Sequence, residues 1–194
     1  MAQALVHFLK YLVGIDAAQT QTTPAERQCI KQFAVGRKRC AEIGVFEGVT
    51  TGTIASTLES DAVLYAIDPF IKGRIGICWG LPIAKREIAR HRPKCQVRMV
   101  RAFSPEANKQ IEGDFDFVFV DGDHSLEGIK QDWHDWAGRI MPDGIIGLHD
   151  TLVPKHNPNV AHLGSHKYFI EHIKYDDRFE IVAQVDSLSI LRRK

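Results

Sequence analysis

Short apolar runs alternate with helical segments along this chain from residue 39 onward. Five of these runs have the length of a buried strand, and segments with helical periodicity separate them. The runs are Arg39–Ile43, Val63–Ile67, Gln96–Val100, Phe115–Val120 and Ile145–Leu148. Strands that alternate with helices are typical of α/β proteins, so the pattern predicts a doubly wound, mostly parallel sheet.

The end of the chain departs from this alternation. Two β-rich runs, Phe179–Val185 and Leu188–Leu191, are joined only by Asp186 and Ser187. A parallel crossover needs about a dozen residues, so a connection this short requires antiparallel pairing. The pattern therefore predicts that a C-terminal antiparallel hairpin completes the sheet.

Residues 1–38 have a helical pattern instead. Apolar residues recur there at the spacing of an amphipathic helix, at Leu5, Phe8, Leu9 and Leu12. The segment Thr23–Glu26 has the form of a capping box with Pro at the first helical position. We expect residues 1–38 to form helices that pack on or cap the core, and that could mediate a homo-oligomer. Residues 39–194 then form the main domain.

The composition is that of an ordinary globular protein, with 44% hydrophobic residues, 25% charged residues and a formal net charge of +1. This balance does not favour nucleic acid as a partner. Apolar runs fall short of the ~20 residues of a membrane span, so no membrane association is expected. The four cysteines form no C-x-x-C pair, which indicates reduced thiols and a cytoplasmic protein.

Acid and imidazole groups follow the fourth and fifth apolar runs. Asp121, Asp123 and His124 come after the fourth run, and His149 and Asp150 come after the fifth. Ligands of open α/β sheets bind at the carboxyl ends of the strands. Two strands that both deliver such groups to this edge predict a reaction centre.

A glycine loop follows the first run. Gly44 and Gly48 have the spacing G-x-x-x-G, which is not the G-x-G-x-x-G of dinucleotide-binding proteins. Glu42 and Glu47 place negative charge where a pyrophosphate would lie, so the loop indicates a ligand without phosphates. Asp68 ends the second run about 20 residues after Gly48, where an acid can accept hydrogen bonds from ribose hydroxyls.

Together these motifs resemble a class I S-adenosylmethionine-dependent methyltransferase. They are Glu42-Ile-Gly-x-x-x-Gly-x-Thr, Ala-Ile-Asp68, Phe103-Ser104-Pro105-Glu106, Phe-Val-Asp121-Gly-Asp-His124 and Leu-His149-Asp150. Within that class the chain is similar to the small-molecule O-methyltransferase-like group, which includes catechol-type and macrolide-sugar-type enzymes. The resemblance implies a Rossmann-like, seven-stranded sheet in residues 39–194 and S-adenosyl-L-methionine as cofactor. It also implies a small-molecule acceptor with a hydroxyl group, either a sugar or a phenolic compound.

The resemblance implies cofactor binding by eight residues, which are Glu42, Gly44, Phe46, Gly48, Asp68, Phe103, Ser104 and Asp121. The two glycines and Phe46 would wrap the methionine portion of the cofactor. Glu42 would orient that loop or the cofactor's amino group. Asp68 would hold the ribose, and Phe103 and Ser104 would lie beside the adenine.

The resemblance also implies a divalent metal, Mg or Mn, bound by Asp121, His149 and Asp150. His124 matches a general base of some sugar methyltransferases, so His124 and Asp121 are the candidate catalytic residues. His149 departs from the family pattern, in which Asp or Glu is more typical. Magnesium prefers oxygen ligands, whereas imidazole suits Mn, Fe, Zn or no metal at all.

Methyl transfer to oxygen requires the two reactants to be aligned and the acceptor hydroxyl to lose its proton. A metal that lowers the pKa of the hydroxyl and a histidine that takes the proton fit this chemistry. The same residues leave two other functions open. One is a metal-dependent hydrolase on the same scaffold, and the other is a non-catalytic protein that keeps the cofactor fold.

Overall fold

One sheet organises the fold in a computed structural model, which describes residues 2–73 and 76–194. Its seven strands are β1 (Arg39–Ile43), β2 (Val63–Ile67), β3 (Gln96–Val100), β4 (Phe115–Val120), β5 (Ile140–Leu148), β6 (Phe179–Val185) and β7 (Leu188–Arg193). Their order across the sheet is β3-β2-β1-β4-β5-β7-β6. The first five strands are parallel, and β7 lies antiparallel between β5 and β6. This arrangement confirms the predicted doubly wound sheet with its antiparallel hairpin.

The described ranges also form seven α-helices. These are α1 (Ala2–Leu12), α2 (Pro24–Ala34), α3 (Val49–Ala55), α4 (Gly80–Arg90), α5 (Ser104–Gln110), α6 (Leu126–Trp136) and α7 (Gly164–Glu171). Short 3₁₀ turns lie at Ala137–Arg139, Pro158–His162 and Ile173–Tyr175. The fifth strand is longer than its apolar run, because pairing with β4 already begins at Ile140.

Strand β4 separates two hydrophobic cores on opposite faces of the sheet. Phe117 and Phe119 pack into one core, and Val118 and Val120 pack into the other. Side chains alternate between the faces of a strand, so the part of β4 that is buried on both faces, residues 117–120, is apolar throughout. Full burial of one such apolar side chain stabilises the folded state by roughly 1.5–3 kcal/mol. The centre of the sheet, where both faces are covered, is therefore the most favourable position for β4.

The two N-terminal helices are buried to very different extents. Ile30 of α2 is fully buried in the same core as Phe117 and Phe119. Helix α1 lies further out, where the Phe8 ring packs against Trp79 with 5.0 Å between centroids. Leu9 nevertheless remains 51% exposed. The amphipathic helix is therefore present, but much of its apolar side is exposed in the single chain. No helix in the part of the chain described is long and apolar enough to cross a membrane.

The glycine loop after β1 depends on a close backbone approach. Gly44 has a φ of +91°, and a Cβ atom built there would lie 2.0 Å from the backbone oxygen of Asp121. Gly48 has a φ of +80° and would meet the backbone oxygen of Ala84 at 2.8 Å. These contacts place the loop between the end of β4 and helix α4. Both positions therefore require glycine.

Replacing Gly44 with Ala tests this close approach, with Gly36→Ala as the control. Gly36 also has a positive φ (+76°), but no heavy atom of the described chain lies within 4 Å of its built Cβ. Backbone strain alone predicts a loss of about 1 kcal/mol for Gly36→Ala. The added clash predicts at least about 3 kcal/mol for Gly44→Ala, measured by urea unfolding. Equal losses for the two variants would show that the close approach does not constrain the loop.

Candidate active site

A cavity of about 1130 Å³ opens at the carboxyl ends of β1, β2 and β4. Six of the eight residues predicted to bind a cofactor line it: Gly44, Phe46, Asp68, Phe103, Ser104 and Asp121. Glu42 and Gly48 lie outside this lining. The N-terminal segment also contributes residues to the cavity wall, among them His7 and Gln19. Segments that are distant in sequence therefore enclose one site.

Asp68 fixes the conformation of the glycine loop. Its Oδ2 accepts hydrogen bonds from the backbone N–H groups of Val45 (3.1 Å) and Phe46 (3.0 Å). Its Oδ1 accepts one from the N–H of Phe70 at 2.7 Å. These bonds help hold Phe46 at a φ of +51°, with its ring 48% exposed at the cavity. Asp68 thus lines the cavity as predicted, while its carboxylate also holds the loop in place.

Glu42 lies behind the cavity. Its side chain is completely buried, and neither carboxylate oxygen has a hydrogen-bond partner among the described residues. Burial raises the pKa of Glu42 well above its usual value, and the nearby charges of Asp121 and Asp68 raise it further. A neutral acid beneath the loop fits the predicted role in orienting the loop better than direct contact with a cofactor.

The hydroxyl of Ser104 is already engaged within the protein. It donates a hydrogen bond to Asp132 and accepts one from the indole N–H of Trp136 at 2.8 Å. Ser104 lines the cavity as predicted, but its side chain is directed to these two partners. A contact with adenine would therefore involve the backbone of Ser104 more than its hydroxyl.

Asp132 was not identified from the sequence. It lies on α6 and lines the cavity, although only 3% of its surface is exposed. Burial raises the pKa of this carboxyl to about 6, and the hydrogen bond from Ser104 partly offsets that effect. The sequence does contain a signal for this residue, because Asp132 lies three residues after Ile129 and beside Trp133. This spacing places it on the apolar face of α6, which is buried. An acid on the buried face of a helix marks a candidate functional residue.

The strand-end acids and imidazoles meet as predicted. The Nε2 atom of His124 lies 3.5 Å from Asp121 Oδ1, and its Nδ1 lies 3.7 Å from Asp150 Oδ2. The Nδ1 atom of His149 lies 2.9 Å from Asp121 Oδ1 and 3.7 Å from Asp150 Oδ1. Asp121 and His124 line the cavity, whereas His149 is almost fully buried. The cluster thus extends from the cavity wall into the interior.

The closest pair in this cluster lies at ion-pair distance but lacks the alignment of a good hydrogen bond. Asp121 Oδ1 and His149 Nδ1 are buried, and neither has a hydrogen-bond partner within the described ranges, despite their 2.9 Å separation. Buried polar atoms without partners are rare and need an explanation. Neighbouring ligands of a six-coordinate ion lie about 3 Å apart, so these two atoms fit a shared divalent metal.

The three donor atoms that lie closest together include two of the predicted metal ligands. Asp121, His124 and His149 each offer a ligand atom, and the three atoms lie within 4.8 Å of one another. The prediction of Asp121 and His149 as ligands agrees with this geometry. It also named Asp150, which lies beside the cluster but outside its tightest group. Two imidazoles with a carboxylate suit Mn, Fe or Zn better than Mg.

Glu26 joins the cluster from helix α2, where the sequence had indicated only a capping box. Its Oε2 lies 3.3 Å from His149 Nε2 and also accepts a hydrogen bond from the N–H of Thr23. Burial alone would raise the pKa of Glu26, but hydrogen bonds from His149, Thr23 and Ser187 lower it to about 2. In His149, burial favours the neutral ring, whereas Asp121 and Glu26 raise its pKa to about 10. Without a metal, His149 is therefore an imidazolium between two carboxylates.

The sequence of this chain is similar to those of known methyltransferases. Residues 41–151 match a family model described as a methyltransferase domain. Tricin synthase 2 from Oryza sativa subsp. japonica is 29% identical over 120 residues, covering 60% of this chain and 39% of the relative. Caffeoyl-CoA O-methyltransferase 2 from Zea mays is 26% identical over 177 residues, covering 82% of this chain and 64% of the relative. The chain thus spans less than two thirds of the length of either curated relative.

Solved structures share the complete fold. An O-methyltransferase from Bacillus cereus in complex with SAH has a TM-score of 0.67 and is 18% identical, with 99% of this chain and 91% of that chain covered. The O-methyltransferase TomG from Streptomyces achromogenes, in complex with SAM, has a TM-score of 0.67 and is 15% identical. The match covers 99% of this chain and 90% of that chain. At these identities the similarity establishes the fold.

Asp132 provides a test of the electrostatics in the cavity wall. Its pKa is about 6 in the folded protein, against an ordinary value of 3.8 for an aspartate side chain. The folded state therefore binds the proton more tightly, and wild type loses stability as pH rises from about 4 through 6. Relative to Asp132→Asn, this loss should reach about 3 kcal/mol at most.

Urea unfolding of wild type and Asp132→Asn at pH 4.5 and pH 7.5 measures this effect. The variant should gain stability relative to wild type at the higher pH. Asp177→Asn, at an exposed position, controls for the loss of a surface charge. A difference between wild type and Asp132→Asn that stays constant with pH would contradict the assignment.

Proposed function

Because the family model matches more than half of its residues, this chain belongs to the methyltransferase-domain family, and we propose that it is an S-adenosylmethionine-dependent O-methyltransferase of small molecules. The main support for this proposal is that the cavity and the acid–imidazole cluster have residues in common. Asp121 and His124 line the cavity and also belong to the cluster. A methyl donor in the cavity would lie beside groups that can activate a hydroxyl.

Cofactor binding is proposed at the loop and strand ends around this cavity. Gly44 and Phe46 would contact the methionine portion, and Asp68 would reach the ribose while still holding the loop. Phe103 would cover the adenine, since 57% of its surface is exposed at the cavity. The negative charges of Glu47 and Asp121 near the loop suit a ligand with a sulfonium and an amino group better than a pyrophosphate.

A divalent ion would be held by Asp121, His149 and Asp150, which leaves the imidazole of His124 free to act as a base. When bound, such an ion lowers the pKa of a coordinated hydroxyl and orients it. The buried atoms without partners on Asp121 and His149 support this assignment. Their donor chemistry favours Mn, Fe or Zn.

His124 is the proposed base for the acceptor hydroxyl. Its ring lies between Asp121 and Asp150, and 23% of its side-chain surface is exposed. The two carboxylates would hold the ring in place and offset the positive charge that forms when it takes the proton. Departure of the methyl group from sulfur leaves a neutral thioether, so the protein needs to stabilise no charge at the donor.

The acceptor is proposed to be a polar, hydroxylated compound, either a sugar or a phenolic molecule. The cavity wall formed by the N-terminal segment contains the amide side chains of Gln3, Gln19 and Gln21. Such side chains can hydrogen-bond to hydroxyl groups. The family match and the cavity beside the cluster favour methyl transfer over a metal-dependent hydrolase and over a non-catalytic role.

A homo-oligomer formed through the N-terminal helices stays a prediction. Val6 and Leu9 of α1 expose 47% and 51% of their surface, and Val13 just after the helix exposes 71%. Isolated apolar residues on a surface are common, but a row along one helix favours an association surface.

Calorimetry with S-adenosylhomocysteine tests the proposed cofactor. We expect one site per chain, and binding should weaken in Asp68→Ala, because this change releases the glycine loop. The exposed Asp61→Ala serves as the control. If wild type fails to bind the nucleoside, the proposed function is wrong.

Replacing His124 with Gln tests the proposed base. The rate of transfer of a tritiated methyl group to a panel of catechols and sugars should fall about 10²- to 10⁴-fold. Affinity for S-adenosylhomocysteine should stay unchanged, because the ring acts on the acceptor. His134→Gln, on the exposed side of α6, is the matched control. An unchanged rate in His124→Gln would remove this residue from the mechanism.

A further inference from the structure

The contacts of Glu26 connect the N-terminal helix α2 to the candidate metal site. We propose that Glu26 is a positioning residue that orients His149 so that its Nδ1 faces Asp121. The inference rests on the proposed function, since it assumes that the cluster holds a divalent metal. Glu26 lies outside residues 41–151, so the family match assigns it no role.

All contacts of the Glu26 carboxylate are with donors. Its Oε2 accepts a hydrogen bond from the N–H of Thr23 at 2.7 Å and lies 3.3 Å from Nε2 of His149. Its Oε1 accepts hydrogen bonds from the N–H of Ser187 at 2.9 Å and from its hydroxyl at 2.7 Å. The carboxylate is therefore held at both oxygens, and only 1% of the residue is exposed.

This fixed carboxylate determines which nitrogen of His149 can bind a metal. An Nε2–H that donates to Glu26 leaves the lone pair of Nδ1 directed toward Asp121, which lies 2.9 Å away. Metal-bound histidines commonly donate their second N–H to a carboxylate, which fixes the tautomer and the orientation of the ring. Glu26 has the chemistry and the position for this role.

A capping box alone does not explain the placement of Glu26. The box uses one oxygen, and a surface glutamate or glutamine would supply it without the cost of burying a charge. The second oxygen and the contact with His149 lie beyond what the helix terminus requires. The burial of Glu26 therefore indicates a function directed toward His149.

Glu26→Gln tests the proposal, because an amide accepts hydrogen bonds at only one end. Its NH₂ group must face one of the two sets of donors, and in either orientation the negative charge that accepts from His149 is gone, so the His149 ring is held less firmly. We expect the Kd for Mn²⁺, measured by the paramagnetic resonance signal of the free ion, to rise about 10- to 100-fold. Affinity for S-adenosylhomocysteine should stay within about twofold of wild type, because the cavity is not changed.

Two further variants separate positioning from stability. Thr23→Ala removes the side-chain half of the capping box but leaves Glu26 and His149 intact, so it should lower the melting temperature without weakening Mn²⁺ binding. Ser187→Ala removes one hydrogen bond to Oε1 and should weaken Mn²⁺ binding by a smaller factor. Ser187→Ala decides the question if Glu26→Gln does not fold.

The outcomes distinguish the inference from the function on which it rests. Wild-type affinity for Mn²⁺ in the folded Glu26→Gln variant would overturn the positioning role. So would an equal loss in Thr23→Ala, because stability would then explain the effect. If wild type binds S-adenosylhomocysteine but not Mn²⁺, Zn²⁺ or Fe²⁺, the metal assignment fails and the proposed role of Glu26 fails with it.

Discussion

The site depends on a buried network of charged groups, in which the imidazole of His149 lies between the carboxylates of Glu26 and Asp121. Isolated charges are costly to bury, so each member is stable in the interior only because the others are present. Glu26 comes from α2, Asp121 follows β4 and His149 follows β5. This network of charged groups therefore connects the N-terminal helix α2 to the centre of the sheet.

This interaction explains why the raised pKa of His149 and the lowered pKa of Glu26 occur together. Each group favours the charged form of the other. A metal ion would replace the positive charge that the proton otherwise supplies, provided that Nδ1 of His149 is deprotonated. Proton and metal thus compete for the same position between Asp121 and His149, and either one offsets the negative charge of the buried carboxylates.

The second constraint is the backbone approach of Gly44 to Asp121. It sets the glycine loop beside the cluster, and the carboxylate of Asp68 fixes the loop through three backbone N–H groups. The wall between cofactor cavity and cluster is consequently a product of backbone contacts as well as side chains. Its position follows from the sheet order, because β1 and β4 are neighbours.

The sheet and the strand-end residues could be predicted because their signals are local. Within the run Phe115–Val120, residues 117–120 are apolar throughout, as a segment buried on both faces must be, and Asp121 follows them directly with His124 three residues later. Glu26 was missed for a physical reason. Glu26 has a sufficient local explanation as the N3 residue of a capping box, and its contact with His149 spans 123 positions. No pattern along the sequence encodes that contact; it arises only when α2 packs against the sheet.

The helix periodicity of the first segment had a similar limit. It correctly predicted α1, but it could not predict that Leu9 stays half exposed, because exposure depends on what packs beside the helix. The same reasoning applies to Ser104, whose hydroxyl is engaged by Asp132 and Trp136. Local sequence identifies a residue at the cavity, whereas the direction of its side chain depends on neighbours from other elements.

We propose that one site holds a methyl donor and a metal side by side. The most direct measurement is the NMR linewidth of S-adenosylmethionine carrying ¹³C in its transferable methyl group, bound without an acceptor. We expect Mn²⁺ to broaden the methyl resonance strongly, and diamagnetic Zn²⁺ to leave it sharp. A methyl resonance that stays sharp while Mn²⁺ is bound would show that the methyl donor and the metal do not lie side by side.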